Sequence, residues 1–201
     1  SGADQMSGGT GDDVFYVDNA ADTVLEAAGE GNDRINTYVS YTLGAGQEVE
    51  TLAAIVGVGS VTLEGNELNN TLVARAGNDT LNGGSGNDAL VGGTGVDYFV
   101  FDDNWGSDIV YDFEDGTDLI HLQSVTGLTG VSQLTITQNG SHTDIAFGGD
   151  IIKLRPAPRH DDDMCARLGK RHRAAKTDTG RSACHKRPSA CKRKGGGRGK
   201  R

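Results

Sequence analysis

Glycine and aspartate recurring at nine-residue intervals constrain this chain more than any other feature. Gly83-Gly84-Ser85-Gly86-Asn87-Asp88-Ala89-Leu90-Val91 runs without a gap into Gly92-Gly93-Thr94-Gly95-Val96-Asp97-Tyr98-Phe99-Val100. Both read G-G-x-G-x-D-x-U-x, where U is a large apolar residue, and Gly8-Gly9-Thr10-Gly11-Asp12-Asp13-Val14-Phe15-Tyr16 is a third full copy. Gly77-Asn78-Asp79-Thr80-Leu81 keeps the back half. Asn70 and Leu72 keep the phase with an amide in the carboxylate's place, and Gly29-Glu30-Gly31-Asn32-Asp33-Arg34-Ile35 lacks the first glycine. Gly2, Asp4 and Met6 stand nine residues before Gly11, Asp13 and Phe15, so the chain is expected to begin inside a longer array. Gly106-Ser107-Asp108-Ile109-Val110 and Gly116-Thr117-Asp118-Leu119-Ile120 retain only G-x-D-x-U. A fixed repeat of this kind predicts a solenoid. A Gly/Asp-rich disordered linker would not keep an apolar residue two places after each aspartate, as Met6, Phe15, Ile35, Leu81, Leu90 and Phe99 do.

The residue types fit one chemistry. Glycine reaches positive φ and exposes backbone, so a six-residue turn can curl its carbonyls inward. Aspartate adds a hard anionic oxygen, and Ca²⁺ takes about six to eight oxygens in flexible geometry, carbonyls included. The x-U-x remainder is a minimal strand whose one inward side chain packs on the same position of neighbouring coils. Two nonapeptides make a coil, so turns alternate sides and each ion is expected between turn n and turn n+2. Asp79 and Asp97 then share one edge; Asn70, Asp88 and Asp108 share the other. The predicted metal ligands are Asp4, Asp13, Asp33, Asn70, Asp79, Asp88 and Asp97. Backbone of Gly8, Gly9, Gly11, Gly83, Gly84, Gly86, Gly92, Gly93 and Gly95 joins them, with Asp108 and Asp118 as further candidates.

Charge makes the same demand. Residues 1–150 carry two fixed cations, Arg34 and Arg75, against 24 acids, a net charge of −22. Hydrophobic residues are only 35% of the chain, with 31 glycines, so burial alone offers little to offset self-repulsion and chain entropy. Such a body stays disordered or folds around cations. Residues 151–201 reverse the balance at +13 and hold every cysteine and every proline. No apolar run is long enough to span a membrane.

The nonapeptides resemble those of the repeats-in-toxin (RTX), or hemolysin-type calcium-binding, family over roughly residues 1–154. The resemblance implies an all-β fold: a calcium-stabilised parallel β-roll (a β-solenoid) with a C-terminal β cap. It also implies several Ca²⁺ ions, export through type I secretion machinery, folding after export, and an extracellular location in a bacterium. The expected organisation is repeats at 1–36, β spacer coils at 37–68, the nonapeptide roll at 69–106, a capping segment at 107–154 and a disordered basic tail at 155–201. Within the cap, Leu134-Thr135-Ile136 and Ile145-Ala146-Phe147 flank a hairpin turn at Asn139-Gly140, and Ile151-Ile152-Lys153-Leu154 adds a strand. Asp112, Glu114, Asp115 and Asp118 read either as ligands or as solvated acids of the cap turns, the second reading being preferred. Trp105 and Tyr111 read as core or cap aromatics rather than a sugar platform.

Three origins compete for the tail: a frame-shifted or artefactual extension, a polybasic arm binding anionic polymers or membrane non-specifically, and intramolecular neutralisation of the acidic body. His160, Asp161, Asp162, Asp163, Cys165 and His172 lack the ligand spacing of a zinc site. No H-E-x-x-H, G-x-S-x-G, Walker or EF-hand motif occurs, and His121 and His142 read as structural, so the chain itself is expected to be non-catalytic. Its parent protein could be a secreted protease, lipase or alginate epimerase, an adhesin or a pore-forming toxin. A polysaccharide or cell surface is a candidate partner; nucleic acid is not expected to bind the body.

Overall fold

The computed structural model describes residues 1–122 and 124–156; the expectations for the basic tail, from its disorder to its metal-ligating side chains, lie outside the described residues. Each x-U-x segment becomes a short strand. One face of the solenoid stacks β2 (Val14–Val17), β4 (Arg34–Thr37), β6 (Thr51–Ala54), β8 (Thr71–Val73), β10 (Ala89–Val91) and β12 (Ser107–Phe113), all parallel. The opposite face stacks β5 (Tyr41–Thr42), β7 (Thr62–Glu64), β9 (Thr80–Asn82), β11 (Tyr98–Val100) and β13 (Leu119–His121), also parallel. β1 (Gln5–Ser7) and β3 (Thr23–Leu25) form a separate parallel pair.

Register puts apolar residues on apolar residues. Phe15, Ile35, Leu52, Leu72, Leu90, Val110 and Leu154 are successive rungs of the first face. Tyr41, Leu63, Leu81, Phe99 and Ile120 are successive rungs of the second. The two stacks meet in one core, in which Ile35, Leu52, Leu63, Leu72, Leu81, Leu90 and Phe99 are fully buried. Burying such a side chain contributes about 1.5–3 kcal/mol, so the rungs set the register and a one-residue slip would turn them outward. Trp105 is also buried, edge-on to Phe101 at 6.0 Å between ring centroids, and serves as core. Tyr111 stays exposed, with the Arg155 guanidinium 5.1 Å above its ring.

The end of the solenoid turns from parallel to antiparallel pairing. β16 (Asp150–Pro156) pairs parallel with β12, then β15 (His142–Phe147) and β14 (Thr135–Asn139) follow antiparallel. Asn139 pairs with His142, so the two-residue hairpin loop is Gly140-Ser141, one place later than the sequence suggests, with Gly140 at φ 63°. Between β3 and β5 the second face is interrupted by an open cleft of about 440 Å³. It is bridged where the Tyr41 hydroxyl donates to the Asp22 carbonyl at 3.1 Å. No helix among the described residues is long and apolar enough to cross a membrane.

Candidate metal centre

Most of the aspartates two places before an inward apolar residue are drawn inside with it, while Asp13 is half-buried and Asp4 exposed. Asp33, Asp79, Asp88, Asp97, Asp108 and Asp118 are all buried. Their carboxyls form two spines along the solenoid edges, each accepting a backbone N–H from the coil before. On one edge Val61 donates to Asp79 Oδ1 at 2.8 Å, Asp79 to Asp97 at 2.9 Å, and Asp97 to Asp118 at 3.1 Å. On the other, Asp13 donates to Asp33 at 2.8 Å, Asn70 to Asp88 at 2.7 Å, and Asp88 to Asp108 at 2.7 Å. The spacing places Asp79 with Asp97, and Asn70 with Asp88 and Asp108.

One oxygen of each carboxyl is thereby fixed; the second is what a cation could use. Oδ2 of Asp33, Asp79, Asp88 and Asp108 is buried without a hydrogen-bond partner. An unmatched buried anionic oxygen is costly, and burial pushes Asp88 and Asp108 towards the neutral form. Desolvation raises Asp97 to about 6, Asp88 to about 7 and Asp108 to about 8, against the opposing effect of the backbone N–H each accepts.

Backbone oxygens lie beside them. At Gly84 and Gly86 (φ 89° and 123°) a Cβ would collide with the carbonyls of Asn66 and Leu68, one coil below. At Gly93 and Gly95 (φ 100° and 135°) it would collide with those of Arg75 and Gly77. At Gly83 and Gly92, the first glycine of each copy, it would strike the carboxylates of Asp88 and Asp97. Glycine is thus needed twice over, for the left-handed backbone and to leave the carbonyls and carboxylate open. Gly8 stands in the same way beside Asp13, while Gly9 and Gly11 face open space. Among the described residues no three His, Cys, Asp or Glu side chains converge. Any ion here would rely on carbonyl oxygens supplemented by carboxylates, a donor set that suits Ca²⁺ and not a thiolate- or imidazole-seeking metal.

Other predicted positions differ. Asp4 has an exposed side chain, and its backbone N–H donates to Asp22 at 2.9 Å. Asn70 is buried with both amide atoms engaged: Oδ1 accepts from Asn66 N–H and Nδ2 donates to the Val49 carbonyl, each at 2.9 Å. The preferred reading of the cap acids as solvated fails for two of them. Asp118 is buried, and its other oxygen accepts the Glu114 N–H at 2.8 Å; Asp112 accepts the N–H groups of Gly92 and Gly93 at 3.0 and 2.8 Å. Glu114 and Asp115 are exposed.

Several spine residues went unnoticed in the sequence. Asp22 accepts from Asp4, Asp18 and Asn19, and the Asp4 N–H holds its carboxyl below the usual range. Glu50 accepts the Asp33 N–H at 2.6 Å. An outer ladder runs beside the spines, in which Asn69, Asn78 and Asn87 accept from Asn87, Val96 and Ser107. The available signal was the acid two places before a buried apolar residue, as in Asp22-Thr23-Val24 and Glu50-Thr51-Leu52, both without the glycines.

Comparison with known proteins bears on these turns directly. The model of the RTX calcium-binding nonapeptide repeat matches residues 1–25 and 64–99, in four copies. The endo-1,3-1,4-beta-glycanase ExsH of Rhizobium meliloti (strain 1021) is 41% identical over 138 residues, 68% of this chain but 28% of that protein. The chain therefore spans little more than a quarter of that relative's length. The extracellular lipase LipA from Serratia marcescens aligns over 77% of this chain and 36% of its own, at 17% identity and a TM-score of 0.43. The matched repeats supply glycine turns and the spine positions Asp4, Asp13, Asp79, Asp88 and Asp97 of a parallel β-solenoid, so residues 1–25 and 64–99 of this chain carry RTX calcium-binding nonapeptide repeats.

Proposed function

We propose that Ca²⁺ binds between successive turns on each edge and that this binding folds the body into a secreted module after type I export. The observation that carries the reading is the row of buried, unpartnered carboxylate oxygens beside carbonyls of the neighbouring coil. Asp33, Asp79, Asp88, Asp97 and Asp108 are the carboxylates proposed to hold ions, with Asp13 and Asp118 at the same positions of their turns. Carbonyls of Asn66, Leu68, Arg75 and Gly77 complete the donor sets. Asp4 and Asn70 lie on the same spines, and Asn70 adds no charge. Bound Ca²⁺ supplies positive charge to carboxylates that otherwise repel, and these residues in turn bring successive coils into register. Circular dichroism tests this: the body should be largely disordered in chelator and β-rich at about 10⁻⁴–10⁻³ M Ca²⁺, the range of extracellular modules. An unchanged β signal in chelator would overturn it. Mg²⁺ at equal concentration should fold the chain poorly, since it demands a tight octahedral shell.

A second reading concerns the parent protein. The 41% identity to a glycanase favours a non-catalytic calcium-binding part of a secreted, glycan-acting enzyme. A glycan-hydrolase domain encoded upstream of Ser1 is its test; an unrelated domain there would exclude it.

A further inference from the structure

The matched repeat ends at residue 25, and the next residue is a glutamate buried where the repeat has glycine. β1 and β3 pair Met6 with Val24 and Ser7 with Leu25, which puts Glu26 on the rung of Gly8, the first glycine of a full nonapeptide turn. Alternation along the chain carries the side chain inward: Asp22, Val24 and Glu26 are buried, while Thr23 and Leu25 are exposed. Glu26 is 3% exposed. Its Oε1 accepts the Gly8 N–H at 2.7 Å, which brings the carboxyl to the mouth of the Gly8–Asp13 turn, and its Oε2 is buried with no hydrogen-bond partner.

The same turn gathers further oxygens. The Asp13 carboxylate lies so close to Gly8 that a Cβ there would collide with it. The Asp13 N–H donates to Asp33, whose second oxygen is also buried and unpartnered. The Gly11 carbonyl faces Gly31, where a Cβ would not fit. Two buried carboxylates with a free oxygen each therefore flank one turn that presents a third carboxylate and a bare carbonyl, although the three carboxylates do not converge on one point in this structure.

Asp112 shows that this is not simply how a carboxylate closes a turn. It occupies the rung of Gly92, the first glycine of the last full copy, just as Glu26 occupies that of Gly8. Both Asp112 oxygens are used, on Gly92 and Gly93 N–H. Glu26 uses one oxygen at its double glycine and keeps the other free. A hydrogen-bonding cap needs no such oxygen, whereas a metal ligand does.

We infer that Glu26 is a calcium ligand from outside the nonapeptide, closing an ion site between the Gly8–Asp13 turn and the turn that ends at Asp33. The inference rests on the proposed calcium binding at the turns and adds a ligand that the repeat pattern does not contain. It makes the first turn of the chain a full site despite the loss of glycine at position 28, where Ala28 stands.

Ions per chain can be counted by native mass spectrometry of the full chain in saturating Ca²⁺, with circular dichroism on the same samples. Glu26→Gln keeps an acceptor for the Gly8 N–H and removes the anionic ligand. It should bind one ion fewer than the unaltered chain while keeping its β signal, and Asp115→Asn, at an exposed acid, should lose none. Glu26→Gln with an unchanged count and calcium midpoint would overturn the inference and leave calcium binding at the other turns standing. An unaltered chain that binds no calcium would instead remove the underlying reading. Should Glu26→Gln fail to fold, Glu26→Asp decides: folding with the full count supports a carboxylate ligand, and failure to do so overturns it.

Discussion

Asn70 and Asp88 stand one coil apart on the same edge, both buried, and they settle their surroundings in opposite ways. Asn70 carries a donor and an acceptor, and both are matched inside the protein. Asp88 carries two acceptors, and only one is matched. The contrast extends to the coils around them. Between residues 37 and 70 the edges are closed largely by amides and hydroxyls, with the Glu50 and Glu67 carboxylates accepting the Asp33 and Gly46 N–H groups. Asn66 donates to the Gly44 and Gln47 carbonyls at 3.0 and 2.8 Å and accepts the Leu68 N–H, and Ser40 accepts from Thr62. From Asp79 to Asp118 the same rungs are carboxylates. The apolar ladder runs through both regions without a break, so the core does not distinguish them. What differs is the source of edge stability: neutral groups complete their own hydrogen bonding, while carboxylates leave a demand that a cation or a proton must meet.

Removing calcium should therefore separate the regions, with the largest effect of any change considered. In a stacked solenoid each coil leans on its neighbours, yet local opening can still differ along the array. In chelator, amide exchange at Asp79, Asp88 and Asp97 should speed up by at least about 100-fold, and exchange at Val49, Leu68 and Ile55 by clearly less. Uniform loss across both regions would show that the amide-closed coils have no stability of their own.

Protons should replace calcium in part. Asp88, Asp97 and Asp108 have values of about 7, 6 and 8 in the fold, raised by burial above the roughly 3.9 of an unfolded aspartate. A raised value means the metal-free fold binds more protons than the unfolded chain. Its stability from these groups is then fullest below about pH 4 and is lost as pH rises through about 6 to 8. Metal-free chain should show more β signal at pH 5 than at pH 8, and the calcium midpoint should rise on acidification because ions must displace protons. A β signal that grows with pH in chelator would contradict the burial of these carboxyls.

Exchanging the two residue types sharpens the comparison further. Asn70→Asp breaks the donor contact to the Val49 carbonyl and adds a charge at a buried site. It should weaken the fold in chelator by about 1–3 kcal/mol and make folding more dependent on calcium. Asp88→Asn should do the reverse in chelator, relieving an unmatched anionic oxygen, while raising the calcium midpoint by about 3–10-fold, since ligand charge sets affinity. If both variants merely destabilise, in calcium and in chelator alike, the amide and the carboxylate are not alternative solutions to one structural problem.

How much of this the sequence makes legible depends on what each residue does. The inward rungs are readable because U follows Asp by two, and Leu81, Leu90 and Phe99 are fully buried. The edges on which Asp79, Asp88 and Asp97 fall follow from counting nonapeptides, because the paired strands there lie 18 residues apart. Asp22, Glu50 and Asp112 are harder. Their coils have lost the glycines, and their partners lie 17 to 20 residues away through turns of unequal length. Glu26 breaks the pattern outright, since a glutamate on a glycine rung signals nothing until pairing sets it beside Gly8. Tertiary register, not local composition, decides these positions.

The smallest effect is expected where the sequence placed acids together that the fold separates. Asp112 and Asp115 are three residues apart in one acidic stretch and look equivalent as a string. Asp115 is exposed, and removing an exposed acid from so anionic a body should change stability by less than about 0.5 kcal/mol. Its calcium midpoint should barely move, because exposed charges are screened beyond about 8 Å at physiological salt. Asp112→Ala leaves the Gly92 and Gly93 N–H groups without their acceptor at the start of the last full nonapeptide. A lost acceptor for part-buried donors costs about 1–3 kcal/mol, and here it also loosens the turn that ends in Asp97. Asp112→Ala should therefore lower the urea midpoint in calcium and raise the calcium midpoint, through the shape of the turn rather than through a lost ligand. Counting ions separates the two causes: Asp112→Ala at saturating Ca²⁺ should bind as many as the unaltered chain. A lost ion in Asp112→Ala would make the residue a ligand. An effect of Asp115→Ala equal to that of Asp112→Ala would mean that bulk charge, and not the hydrogen bonds to the double glycine, governs this end of the solenoid.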